Sequence, residues 1–300
     1  MSWPKRVRLK EVGPRDGLQN EKKIVSYEDK IHLINQLSHS GLDYIELTSF
    51  VHPKWIPQLV DAVEVAKGIT RVSGVTYAAL VPNLNGLERA LEANIDEISV
   101  FMSASETHNL KNINKTIPDT FAVLKEVIEQ SLMVGKPVRG YISMVFGCPY
   151  EGKVSLDSVI RVADELVGMG VTELSLGDTI GIANPKQVQE MLDILLKRFS
   201  SKQLALHFHD TRGLALANIL AALDRGVSTF DSSVGGLGGC PYAKGASGNV
   251  ATEDLLYMLN GMSIQTGINQ NELVKAAEFI QTAIGRRLPS HTLQINNAFS

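Results

Sequence analysis

The sequence predicts an α/β protein, a (β/α)8 TIM barrel with extra C-terminal helices. Eight short β-rich runs alternate with helix-length segments from the start of the chain to about residue 260, the repeat that closes into a barrel. No Gly-x-Gly-x-x-Gly follows the first run, so nothing recommends a doubly wound open sheet. Polar residues of chemical interest collect where the runs end, which is where a barrel carries its active site.

Strands are expected at 7–12, 44–48, 72–80, 97–102, 138–146, 173–176, 204–209 and 229–234. Ser26-Tyr27-Glu28-Asp29 reads as a capping box opening a helix with Ile31, Ile34 and Leu37 on one face. Ser155 caps another, with Val159, Val162 and Leu166 facing inward. Asn184-Pro185 supplies an N-cap and a proline at the first helical position. A further helix begins near Thr252-Glu253-Asp254, and beyond about residue 262 come one or two more, chiefly over 272–287. No Pro/Ser-rich linker interrupts the chain. Residues 1–300 are therefore expected to form a single catalytic domain, the barrel over about 7–260 and a helical C-terminal extension over about 262–300.

Bulk properties exclude several functions. Hydrophobic residues at 44% and charged residues at 20% describe an ordinary globule. A net charge of -3 and the absence of a lysine/arginine block argue against a nucleic-acid partner. No apolar run reaches the length of a membrane span. Met1-Ser2-Trp3-Pro4-Lys5-Arg6 leads straight into a strand-like segment, which fits neither a secretory signal nor a transit peptide. Asn297-Ala298-Phe299-Ser300 carries no organellar address. Two cysteines, Cys148 and Cys240, cannot make a disulfide framework. Together these suit a protein of the reducing cytoplasm.

The chemistry begins with His207-Phe208-His209-Asp210, which closes the run Leu204-Ala205-Leu206. Alternation along a strand points His207 and His209 the same way at the mouth of the barrel, as half of a metal site would require. After the first strand, Gly13-Pro14-Arg15-Asp16-Gly17 places Asp16 within reach of those histidines, and Arg15 offers a forked cation for a carboxylate or developing oxyanion. Glu46 lies inside an apolar strand, either orienting Arg15 or serving an interior ion pair. Asp178 ends the sixth strand, as an anchor for metal or substrate or as the hydrogen-bonding start of a turn. After the eighth strand, 235–249 is rich in glycine, suited to a mobile lid or a close approach to ligand. Cys240 at its tip is a reactive thiol if a cation lowers its pKa, and Asn249 at its end offers a hard oxygen ligand or serves a turn. Cys148, after the fifth strand, is taken as structural. Asp16, His207, His209 and Asn249 make an N2O2 set without thiolate, which favours an octahedral Mg2+ or Mn2+ over structural zinc.

These motifs resemble those of the 3-hydroxy-3-methylglutaryl-CoA lyases, of bacterial type, over nearly the whole chain. The resemblance rests on 11–22, Thr48-Ser49-Phe50-Val51, Leu176-Gly177-Asp178-Thr179-Ile180-Gly181, and Ser233-Val234 through Cys240-Pro241-Tyr242. It implies metal-dependent retro-Claisen cleavage to acetoacetate and acetyl-CoA, in leucine breakdown. The metal ligands then fall on Asp16, His207, His209 and Asn249. Arg15 stabilises the enolate, Cys240 is an acid/base on the loop, His207 counts as catalytic as well as a ligand because a thiol or a histidine can return the last proton, and Glu46, Asp178 and Glu253 organise the site. Lys22 and Asn112 fall where CoA contacts are expected, and a homodimer follows by analogy. Isopropylmalate, homocitrate and citramalate synthases share the Arg-Asp-Gly and His-x-His elements, and the rival readings are a Claisen-type condensing enzyme, a lyase for a longer 3-hydroxy-3-alkylglutaryl-CoA, and a barrel that binds metal and a CoA ester without turnover. The Cys240 loop favours the lyase. Arg212 stands where animal members are expected to carry an aromatic, open to a role in CoA contacts or at a subunit surface.

Overall fold

The computed structural model describes residues 3–239 and 248–299. Its strands are β1 (Arg8–Glu11), β2 (Tyr44–Ser49), β3 (Thr76–Leu80), β4 (Glu97–Ser103), β5 (Val138–Ser143), β6 (Glu173–Asp178), β7 (Leu204–Phe208) and β8 (Thr229–Ser232). They are parallel and close into a barrel in sequence order, β1 pairing with β8 from Arg8↔Thr229 to Glu11↔Ser232. Between β2 and β3 the register shifts at Glu46/Thr48, the kind of bulge that re-aims a side chain at a barrel rim.

The outer ring is α1 (Tyr27–His39), α2 (Ala62–Gly68) and α3 (Leu84–Glu92), then, after a rim helix α4 (Glu106–Ile113), α5 (Ile117–Met133), α6 (Leu156–Gly168), α7 (Pro185–Leu195), α8 (Ala215–Leu223) and α9 (Thr252–Gly261). Their starts follow the expected caps. Asn184 and Gln187 form a reciprocal capping box on α7 with Pro185 in the first turn. Ser155 accepts from Ser158 N on α6, whose Val159, Val162 and Leu166 are fully buried. On α1 the Ser26 half of the expected box forms, Ser26 Oγ accepting from Asp29 N at 3.1 Å.

Several strand ends differ from expectation by one to four residues, among them a β8 that stops at Ser232 and a β6 that runs on to Asp178, and three of the differences have clear local reasons. β3 starts at Thr76 because 72–75 is a turn: Val75 N donates to Val72 O at 3.2 Å and Gly74 sits at φ +88°. β5 stops at Ser143 because Met144 takes a left-handed φ of 61°. β7 ends one residue short of His209, which pairs instead with Asn249.

The main hydrophobic core lies between barrel and helices. Past the barrel, α10 (Gln270–Ile284) packs along α1, and α11 (His291–Phe299) lies beside α9. Asp254 of α9 accepts from His291 N at 2.8 Å and Thr292 N at 2.7 Å, tying α11 down by its N-terminus. Among the described residues no helix is long and apolar enough to cross a membrane.

Candidate active site

The turn after β1 creates the first part of the site. The carbonyl of Val12 accepts from Arg15 N, Asp16 N and Gly17 N at 3.2, 2.7 and 3.2 Å, a wide π-type turn. It needs glycine at 17, where a Cβ would stand 2.7 Å from Leu237 Cβ and 2.8 Å from Ser233 Oγ. Arg15 is thereby turned into the mouth of the barrel, 6% exposed. Its Nε donates to Glu46 Oε2 at 2.5 Å and its Nη1 to Asp16 Oδ1 at 2.6 Å. Its guanidinium lies 5.0 Å from the Tyr141 ring centroid. Burial works against that charge, but Glu46 and Asp16 outweigh it and hold the pKa above the ordinary arginine range.

The second part is a cluster of three ligand-type atoms, from Asp16, His207 and His209, all within 4.8 Å of one another. The two imidazole centroids are 5.3 Å apart, as the alternation along β7 requires. Residues 248–251 complete the cluster by filling the gap where β7 and β8 diverge. Asp210 N donates to Gly248 O, Val250 N to Phe208 O and Ser233 N to Val250 O. This inserted segment sets Asn249 against His209, and Asn249 Nδ2 donates to Asp16 Oδ2 at 2.8 Å and to Leu237 O at 3.1 Å.

The donor set suits a hard divalent cation, with a carboxylate, two imidazoles and an amide, all buried or nearly so. His209 belongs to the cluster, and its Nδ1 is a buried polar atom with no hydrogen-bond partner among the described residues. Burial and the neighbouring His207 push His209 down to about 4, so it stays neutral, as a ligand must. Burial would raise the Asp16 carboxyl, but Arg15, His207 and His209 hold it below the usual carboxylate range.

The remaining expected residues surround this centre. Asp178 Oδ1 and Oδ2 accept from Ile182 N and Ala183 N at 2.9 and 3.0 Å, so its carboxylate shapes the turn after β6, and burial pushes it up to about 6. Glu253, at the start of α9, accepts from Gly235 N at 2.8 Å and braces the root of the glycine-rich loop. Gly235 has φ +67°, and a Cβ there would meet Leu288 at 2.3 Å. Lys22 and Asn112 are exposed on rim segments, after β1 and on α4. Arg212 Nη1 donates to Ile180 O and Gly181 O at 3.2 and 2.7 Å, tying the turn after β7 to the turn after β6. Cys148 is buried, with Ser105 Oγ donating to its Sγ at 3.1 Å. Cys240 lies outside the described residues.

Sequence reasoning missed a polar layer inside the barrel. Arg139 Nη2 donates to Asp231 Oδ1 at 2.6 Å and its Nε to Glu173 Oε1 at 2.6 Å, while Lys10 Nζ reaches Glu173 at 2.8 Å. Tyr141 OH donates to Glu46 Oε2 at 3.0 Å. Glu11, fully buried, accepts from Gly13 N, Val234 N and Thr252 Oγ1, linking the turn after β1 to the turn after β8 and to α9. The available signal was charge within strands, since Arg139 and Asp231 sit among buried neighbours where only a partner across the barrel can compensate them. Also missed was a cavity of about 400 Å3 at the rim, where Arg286 and Arg287 stand beside Gly236, Gly238 and Gly248.

The same scaffold recurs in known proteins. The HMGL-like family matches residues 6–280. A Bacillus subtilis hydroxymethylglutaryl-CoA lyase, YngG, is 59% identical over 295 residues, 98% of this chain and 99% of its own. A Pseudomonas aeruginosa protein, named as a 3-hydroxy-3-isohexenylglutaryl-CoA/hydroxymethylglutaryl-CoA lyase, is 52% identical over 95% of each chain. The structure of an Acinetobacter baumannii HMG-CoA lyase, in complex with coenzyme A and 3-methylmalate, superposes with a TM-score of 0.94 at 44% identity, covering 98% of this chain and 96% of that one. The chain belongs to the hydroxymethylglutaryl-CoA lyase family.

Proposed function

We propose that this enzyme cleaves 3-hydroxy-3-methylglutaryl-CoA to acetoacetate and acetyl-CoA, a retro-Claisen reaction. The observation that carries the reading is the union, in one mouth, of a two-histidine, one-aspartate cluster and a buried arginine. Breaking the carbon–carbon bond takes a proton from a tertiary alcohol and leaves charge on the thioester oxygen of the departing acetyl-CoA. Asp16, His207, His209 and Asn249 would hold Mg2+ or Mn2+, which when bound supplies Lewis-acid charge at the alcohol.

Arg15 meets the other charge. Two of its nitrogens are committed to Glu46 and Asp16, and Nη2 makes no protein hydrogen bond among the described residues. That donor is available to the enolate oxygen, and the pinned guanidinium needs no reorganisation to use it. Glu46 and Tyr141 keep the fork in place. Cys240, in the loop between Gly235 and Glu253, supplies the acid/base group: as thiolate it takes the proton of the tertiary alcohol, and as thiol it returns that proton to the enolate carbon, which becomes the methyl group of acetyl-CoA. Asp178 supports the site through the turn it shapes. The CoA arm runs over the rim that carries Lys22 and Asn112, and the rim arginines favour its phosphates.

The assignment implies a cytoplasmic enzyme of leucine breakdown, working as a homodimer without nucleic-acid or membrane partners. The Pseudomonas relative's name favours a second reading in which a longer 3-alkyl group is also accepted, since a methylene is worth only about 1–3 kcal/mol of discrimination. The test is a coupled assay on metal-stripped enzyme given 3-hydroxy-3-methylglutaryl-CoA, and in parallel its 3-isohexenyl analogue, with Mg2+ or Mn2+ restored. Equal, metal-dependent yields of acetyl-CoA and the 3-oxo acid are expected. No product from folded protein with either metal overturns the reading in favour of a condensing enzyme.

A further inference from the structure

The proposed reaction makes no use of Asp231, yet no side chain in the barrel is more fully engaged. It lies in β8, completely buried, and its two oxygens serve partners from three other strands. Oδ1 accepts from Arg139 Nη2 at 2.6 Å, and Oδ2 accepts from Ser175 Oγ at 2.7 Å and lies 3.2 Å from His207 Nδ1. The contact with His207 is built into the sheet, because His207 and Asp231 are register partners on β7 and β8. Arg139 is itself fixed by Glu173, so the brace spans the barrel from β5 through β6 to β8.

An ionised carboxylate accepts hydrogen bonds and donates none, so the imidazole nitrogen facing it must carry the proton. His207 Nε2 is then the free lone pair, and it faces Asp16 Oδ2 at 3.8 Å. His209 has no such support at Nδ1 among the described residues, so the two histidines of the cluster are held differently.

We propose that Asp231 is the positioning residue of the metal centre: it sets His207 as the Nδ1–H tautomer with Nε2 aimed into the cluster, and Arg139 and Ser175 hold it in place for that purpose. Orienting partners of this kind are worth a large factor in metal affinity. The inference rests on His207 being a metal ligand, as proposed above.

Two measurements on the full-length, metal-stripped enzyme test it. The first is Mn2+ binding by electron paramagnetic resonance, with Asp231→Asn expected to raise the dissociation constant about 10–100-fold and the Mn2+ concentration for half-maximal rate by the same factor. Absence of Mn2+ binding by the unsubstituted enzyme overturns the metal reading itself. Normal Mn2+ binding by both proteins overturns the role of Asp231 and leaves the metal reading standing. The second needs no variant at position 231: in 15N-histidine spectra of the metal-free enzyme, the His207 ring, assigned by its loss in His207→Gln, is expected as the Nδ1–H tautomer. An Nε2–H tautomer overturns the proposal.

Discussion

Arg15 Nε donates to Glu46 Oε2 across 2.5 Å, joining the turn after β1 to the middle of β2. Glu46 is fully buried and Arg15 nearly so, and the two side chains are what hold the guanidinium plane at the mouth of the barrel. The fork needs both of its protein contacts at once: Nε on Glu46 fixes the plane, and Nη1 on Asp16 fixes its distance from the histidine cluster.

Arg15→Lys should therefore leave Mn2+ affinity nearly intact and lower kcat about 10²–10³-fold, the loss typical of one donor to a developing oxyanion. Mn2+ titration and steady-state kinetics on the same preparation check this. Normal turnover would show that the enolate is stabilised elsewhere.

Glu46 and Tyr141 should differ in severity. Glu46→Ala breaks a buried ion pair and leaves the guanidinium with Asp16 alone, which costs up to about 3–5 kcal/mol. Tyr141→Phe removes one hydrogen bond to Glu46, worth about 0.5–1.5 kcal/mol, and leaves the Arg15 contact intact. Urea unfolding of the two variants should separate by that margin, with most activity kept only in Tyr141→Phe.

Asp16→Ala and His207→Ala should abolish the stabilisation that a bound cation gives. At about 100 times its dissociation constant a ligand specific to the folded state adds about 2.7 kcal/mol. Mn2+ should raise the melting temperature of the unsubstituted enzyme and leave both variants unmoved. A retained shift in either would remove that residue from the ligand set.

The buried carboxylates near the loop root should set how stability depends on pH. Burial pushes Glu253 up to about 8 and Glu11 up to about 7, from an ordinary value of 4.5. The folded chain thus keeps protons that the unfolded chain releases, so stability is full below 4.5 and is lost as pH rises through about 7 to 8. Glu253→Gln removes one of these groups and should flatten the fall in urea midpoint across that range. An unchanged slope would show that Glu253 is not one of the groups responsible.

The barrel was legible because its period is local. Each strand end, helix cap and apolar face is written in adjacent residues, and Ser155 with Val159, Val162 and Leu166 behaves as spacing alone predicts. The His-x-His geometry was legible for the same reason, since alternation along one strand needs no tertiary information. The interior polar layer was not. Arg139 and Asp231 are 92 residues apart, and nothing in either strand names the other as its partner. Glu11 looked like an ordinary strand-end residue, yet it holds together three elements that meet only after the barrel has closed.

By itself, then, the sequence determined the α/β repeat, the end of the barrel that carries the chemistry, and the residue types able to hold a hard cation beside a forked one. Tertiary structure decided which of those residues lie together. Closure of β1 onto β8 brings Asp16 to His207, and the segment 248–251 inserts beside β7 to add Asn249. Closure also divides the acids between tasks. Glu46 is committed to Arg15, Asp178 and Glu253 to backbone amides, and Asp231 to His207. The physical reason is that a buried carboxylate must find its donors in space, and those donors come from strands that sequence order keeps far apart.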